Sequence, residues 1–242
     1  MHNTIHLVLQ GKGGIGKSFI SSLLAQYFTN NESVSFLGFD TDQENTTFSQ
    51  YQALGVEHIP VMDVSRQINA KKFDILIEKL LLSDGVSVVD NGANTFAPLL
   101  SYLLENDVIK LLNDNGKRVY IHTIIGGGDT MSDTANGFNS LATSLNAPIV
   151  LWLNEFFGEM KTIEGKSFFE TKVCQIHKSK LAGFVTLHMR NSSTYGDDIK
   201  RMVTRRLTID EVMVNPEFST MEKQRLGTMS REIYSQLDMI DW

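Results

Sequence analysis

A short apolar run feeds straight into a glycine-rich loop, and a helical pattern follows the loop at once. The run is 4–10, carried by Ile5, Leu7, Val8 and Leu9; the loop, 11–18, reads GKGGIGKS; the pattern beyond it sets Ile20, Leu23, Leu24 and Tyr27/Phe28 on one face. Strand, tight loop and amphipathic helix in that order leave few folds open. The loop satisfies G-x-x-x-x-G-K-[ST], with Gly11 first and Gly16-Lys17-Ser18 last. Glycines let the backbone wrap tightly and leave N–H groups free to face an anion. The helix N-terminus adds about half a positive charge in the same direction. Lys17 then places an ammonium near the outer phosphates of a nucleotide, and the Ser18 hydroxyl is a hard oxygen ligand for Mg²⁺. A glycine turn with incidental lysines is the bland alternative; the flanking strand and helix count against it.

The rest of the chain repeats the alternation. Strands are expected at 34–39, 86–89, 118–125, 148–153 and 181–187, with helices at 71–82, 95–104, 108–112 and 133–145. From about 195 to 240 the pattern is helical, in two or three pieces, with Pro216 opening one. This predicts an α/β fold of the P-loop NTPase kind: a mostly parallel sheet of about seven strands with helices on both faces. A chain of 242 residues suits one such domain, or at most two small ones. In open sheets of this type ligands bind beyond the carboxyl ends of the strands. Gly11, Asp40, Asp90 and Asn154 all fall at or just past strand ends, so they are expected on one edge.

Asp90 closes an apolar strand, the Walker B pattern, whose carboxylate holds Mg²⁺ through water. Asn91-Gly92-Ala93 would be a switch segment hinged at Gly92. No Asn-Lys-x-Asp motif for guanine is present, which favours ATP. None of the six histidines has metal-ligand spacing, and His122, inside a strand, reads as structural.

Lys12 is surplus to an ordinary P-loop. With it, residues 12–18 match K-G-G-x-G-K-[ST], and the chain resembles the deviant Walker A superfamily of partition, septum-positioning and nitrogenase-iron ATPases. That resemblance implies a single ATPase domain over 1–242 and an ATP-bound homodimer with Lys12 reaching the nucleotide across it. It further implies nucleotide contacts from Gly11, Lys12, Gly13, Gly14, Ile15, Gly16, Lys17, Ser18 and the adjoining Phe19. Asp40-Thr41-Asp42 would be the first switch: Asp42 positions the attacking water, and Asp40 joins Ser18 and Asp90 near Mg²⁺, with a turn or N-cap role as the other reading. The superfamily often has Pro after the second Asp; here Gln43 follows. Asn154 resembles the superfamily's adenine contact, with a cap as its alternative.

A tighter resemblance runs through 8–20, 88–93, 98–107 (PLLSYLLEND), 121–123, 150–154, 164–168, 194–196 and 206–211 (RLTIDE). These stretches resemble the plasmid conjugal-transfer family called TraL. They imply a cytoplasmic protein acting in DNA transfer with an unidentified transfer or partition partner. Turnover would make it a nucleotide switch; little turnover would leave a nucleotide-binding subunit of a larger complex.

Charge and cysteine content narrow the rest. Residues 158–206 carry 10 Lys+Arg against 5 Asp+Glu in a chain of net charge −6. Lys200, Arg201, Arg205 and Arg206 there form either a nonspecific DNA face or an ordinary solvated helix surface. Cys174 alone cannot ligate an iron–sulfur cluster or form an internal disulfide. No apolar run is long enough to span a bilayer, and the opening residues lack a secretory pattern. The stripe Ile233, Leu237 and Ile240 is flanked by acids, so it is expected to pack on the core rather than on a membrane.

Overall fold

The computed structural model describes residues 3–30, 34–162 and 164–242; His2 lies outside them. In chain order the elements are β1 (Thr4–Val8), α1 (Lys17–Thr29), β2 (Phe36–Asp40), β3 (Glu57–His58), α2 (Phe73–Leu82), β4 (Val86–Asp90), α3 (Phe96–Glu105) and α4 (Val108–Asp114). They continue with β5 (Arg118–Gly126), α5 (Met131–Ser144), β6 (Ile149–Asn154), α6 (Lys172–Ile176), β7 (Leu181–Leu187), α7 (Asp197–Thr204), α8 (Ile209–Val214) and α9 (Thr220–Leu237). The strands form one sheet in the order β3-β2-β4-β1-β5-β6-β7, and every pairing is parallel.

Side-chain alternation divides the interior into two cores. Ile5 and Leu7 of β1 join the side covered by α2 to α5, with Phe73, Leu99, Leu112 and Phe138; Val8 joins the side covered by α1 and the C-terminal helices. Burying side chains of this size contributes about 1.5–3 kcal/mol each.

The second core contains a polar chain. Trp152 Nε1 donates to His122 Nδ1 at 3.0 Å, His122 Nε2 lies 2.9 Å from His6 Nδ1, and His6 Nε2 lies 3.1 Å from Thr4 Oγ1. An indole N–H can only donate, so His122 Nδ1 must accept. Burial keeps both rings neutral: desolvation holds His122 down to about 3, and desolvation with the neighbouring His122 holds His6 well below its usual range. Each ring then has one N–H, on Nε2, and the donors run in one direction from Trp152 to Thr4.

The C-terminal helices differ from the sequence expectation in one detail. Pro216 does not open a helix; it lies in the turn before Ser219, whose hydroxyl and Glu222 form the capping box that starts α9. Ile233, Leu237 and Ile240 pack into the second core. Gln236 covers the β7 edge of the sheet: its Oε1 accepts from Thr186 N at 2.7 Å and its Nε2 donates to Thr186 O at 3.2 Å. That amide satisfies backbone groups that would otherwise invite a further strand. Among the described residues no helix is long and apolar enough to cross a membrane.

Candidate functional site

The loop after β1 is anchored from below. Gln10 is buried, and its Nε2 donates to Ile124 O at 2.9 Å and Thr134 O at 3.2 Å while Oε1 accepts from Gly11 N at 2.9 Å. A side chain at Gly137 would put its Cβ 2.2 Å from Gln10 Oε1, which explains a glycine inside α5. Gly14 (φ 69°) and Gly16 (φ 101°) occupy left-handed backbone that turns the loop into α1. Gly16 is the N-cap of α1 and no side chain caps that end, so no side chain competes for the free first-turn N–H groups.

Two lysines belong to the loop. Lys17 is buried, and its Nζ donates to Lys12 O at 3.1 Å. Desolvation lowers its pKa, while Asp90 and then Asp42 draw it back up. Lys12 points outward and pairs with Asp133 Oδ2 at 2.7 Å, both side chains being exposed. Such a pair contributes about 1 kcal/mol or less.

Facing the loop are the carboxylates. Asp40 and Asp90 lie opposite one another on neighbouring strands, and both are 0% exposed. Asp90 Oδ1 accepts from Ser21 Oγ at 2.9 Å; Asp90 Oδ2 is buried, with the Ser18 hydroxyl near the carboxylate but making no well-formed hydrogen bond to that oxygen. Burial first and Asp40 second push Asp90 up to about 7, with the Ser18 and Ser21 hydroxyls and Lys17 opposing. Asp40 has both oxygens engaged by backbone: Oδ1 accepts from Asp42 N and Oδ2 from Ser49 N, each at 2.9 Å. Its carboxylate therefore shapes the loop that presents Asp42. Asp42 Oδ1 accepts from Glu44 N at 2.9 Å and Asn45 N at 3.1 Å. Gly92 closes on it: a Cβ there would meet Asp42 Cγ at 2.7 Å. Thr41 N and Oγ1 both donate to Asp90 O at 3.0 Å, tying segment 40–42 to segment 90–92.

Asn154 also reaches the loop. Its Nδ2 donates to Ile15 O at 3.1 Å and its Oδ1 accepts from Phe156 N at 3.2 Å, so it caps the turn after β6 and touches the loop at once. Beside it opens a cavity of about 690 Å³, lined by Gly16, Phe19, Asn154, Phe157, Met189 and Lys200 among others.

The basic segment does not form a free face. Arg201 pairs with Glu222 at 2.6 Å and lies over the Phe218 ring at 4.5 Å; Arg205 pairs with Glu217; Arg206 Nε donates to Gln50 at 3.2 Å. Lys200 lines the cavity instead. Acidic residues from the α8–α9 turn and α9 neutralise the positive run, a pairing that spacing along α7 does not reveal. Gln10, Asp133 and Gln43 are the site residues missed from the sequence. Each works through a partner far away in the chain or across a loop, so no local pattern marks it.

Comparison with known proteins places this architecture. No family model matches the chain. Two Escherichia coli proteins, each named Protein TraL, are 37% and 38% identical over 236 residues, covering 97% of this chain and 97% of each relative. The chain belongs to the TraL family. Among solved structures, the MinD cell division protein of Aquifex aeolicus aligns with TM-score 0.52 at 13% identity, over 96% of this chain and 97% of that one. A ParA family ATPase from Chlorobium tepidum TLS aligns with TM-score 0.50 at 14% identity, over 93% and 96% of the two chains. This TraL-family chain therefore has the P-loop NTPase fold of MinD and ParA.

Proposed function

We propose that this chain is an ATP-binding and slowly ATP-hydrolysing switch that pairs with a second copy when ATP is bound and acts in conjugal DNA transfer. One observation carries the reading: the uncapped, glycine-turned loop 11–18 holds Lys17 beside a buried Asp90 whose Oδ2 has no partner. A buried carboxylate oxygen without a donor suits a hydrated divalent cation. Ser18 and Asp90 would hold Mg²⁺, with Asp40 behind them, and the ion would neutralise phosphate charge when bound.

The chain's own groups supply the rest. Loop N–H groups and the α1 N-terminus cradle the phosphates. Lys17 exchanges its bond to Lys12 O for a phosphate oxygen, gaining a charge-assisted contact. Asp42, held by its turn against Gly92, orients the attacking water. Lys12 leaves Asp133 to reach the partner copy's nucleotide; breaking an exposed pair costs little. The cavity beside Asn154 and Phe19 takes the nucleoside. Membership of the TraL family supports a task in conjugal transfer; in this reading the chain works in the cytoplasm and a transfer or partition protein reads the switch.

Solution mass without nucleotide and with Mg-ATP tests the reading. The expected result is monomer to dimer with ATP, and monomer throughout for Lys12→Ala; a mass that never changes while ATP binds sinks the cross-dimer role. Asp42→Asn is expected to cut turnover by about a hundredfold while ATP affinity holds. If the wild type binds ATP and shows no turnover, the chain is a nucleotide-holding subunit of a larger assembly.

A further inference from the structure

Gln43 stands where the wider superfamily often has proline, and its side-chain amide is the most heavily bonded contact of the Asp42 loop. Nε2 donates to Thr41 O at 3.2 Å and Ile59 O at 3.0 Å, and lies 3.1 Å from His58 Nε2. Oε1 accepts from Val61 N at 3.1 Å and Met62 N at 3.3 Å. Two backbone N–H groups at one end and two carbonyls at the other fix which end is oxygen. The amide therefore spans from the residue before Asp42 to a hairpin at 61–69.

That hairpin is an ordered unit with an exposed tip. Met62 bridges Ile68 antiparallel, Asn69 N donates to Val61 O at 2.8 Å, and Asp63 N donates to Gln67 O at 2.9 Å. Ile59 and Val61 are buried in the core, while Val64 at the tip is fully exposed. On the other side, Thr41 is tied to Asp90 O and Asp42 packs on Gly92. Any shift of Asp42 toward bound phosphate must carry Gln43 with it. Val61 and Met62 must then follow, or lose the acceptor that satisfies their N–H groups.

We infer that Gln43 is a positioning residue that locks the Asp42 loop to the hairpin 61–69, so that the hairpin moves with the hydrolytic carboxylate. This rests on the ATPase reading above for its effect on turnover, but the mechanical link does not. Nucleotide chemistry at the centre of the sheet thereby becomes legible at its β3 edge, about Val64 and Arg66.

Gln43→Met tests it, keeping side-chain length while removing every hydrogen bond. Hydrogen exchange resolved to single amides is measured with and without Mg-ATP, beside steady-state turnover. In the wild type, protection at Val61 and Met62 is expected to change when Mg-ATP binds. In Gln43→Met those two amides are expected to exchange about tenfold faster without nucleotide, and the ATP-dependent change should vanish. Turnover number is expected to fall about tenfold or more with KM for ATP within about twofold, because the phosphate loop is untouched. The inference is overturned if Mg-ATP binds the wild type and leaves Val61 and Met62 unchanged, a result that needs no variant to fold. It is also overturned if the variant keeps wild-type turnover and exchange. Absence of turnover in the wild type would defeat the ATPase reading alone, and the exchange data would still decide the link.

Discussion

Lys17→Ala is expected to weaken ATP binding by about a hundredfold, equivalent to about 2.7 kcal/mol. The ammonium donates to the Lys12 carbonyl of the loop, a bond that in the proposed reading it exchanges for a phosphate oxygen. A charge-assisted bond in a buried place is among the stronger single contacts a protein makes. Stability should not fall with affinity. Lys17 is buried and desolvation depresses its pKa, so the folded chain already carries a cost for holding that charge. Its removal is expected to leave the thermal midpoint unchanged or slightly raised. Calorimetric titration with Mg-ATP alongside a melting curve separates the two effects. An affinity within a few-fold of wild type would show that phosphate is bound elsewhere. A collapse of the melt would show that Lys17 serves the fold.

Acid is expected to destabilise the chain steeply through His6 and His122. The folded pKa of His122 lies near 3 against 6.5 for a free histidine, and that of His6 is also well below 6.5. Between those limits the unfolded chain binds protons that the folded chain refuses. The stability from keeping both rings neutral is therefore full above pH 6.5 and is lost as pH falls below it, for His122 down to about 3. His122 contributes a slope of up to about 1.4 kcal/mol per pH unit in that window, and His6 adds in the same direction; this is large against the stability of a typical domain. Protonating His6 would also put two N–H groups face to face across the 2.9 Å contact between the rings, and protonating His122 would do so across its 3.0 Å contact with Trp152 Nε1. Asp90 acts in the opposite sense. Its folded pKa, about 7, is above 3.8, so its contribution is present at low pH and lost as pH rises through about 7. The comparison that isolates His122 is urea unfolding of wild type and His122→Gln over the same pH series, in which the Asp90 contribution cancels. The difference should shrink steadily as the pH drops below 6.5. A constant difference across the window would mean that His122 is not what acid attacks.

The phosphate loop, the strand-end carboxylates and the helix-covered parallel sheet were legible along the chain because each is a local pattern. A strand is a run of apolar residues, a helix is a period, and a phosphate loop is a spacing of glycines before Lys17 and Ser18. Short-range physics writes all three into consecutive residues. The edge strand Glu57–His58 was not legible: two residues carry no period, and pairing with β2 alone makes them a strand.

The fine structure of the site had a different origin. Gln10 locks the loop through β5 and α5, Asp133 holds Lys12 from α5, and Gln43 ties Asp42 to a hairpin beyond β3. The basic run at 200–206 illustrates the same point in reverse. Along the chain it read as either a DNA face or an ordinary solvated helix surface; in space Glu217 and Glu222 meet it. Charge and hydrogen-bonding capacity are properties of residues, but whether they are free or already satisfied depends on which distant groups the fold brings within 3 Å. The sequence by itself determined the glycine-turned loop between strand and helix, the place proposed for phosphate. Only the tertiary structure decided which polar groups around that place are committed to one another and which, like Asp90 Oδ2, are left open.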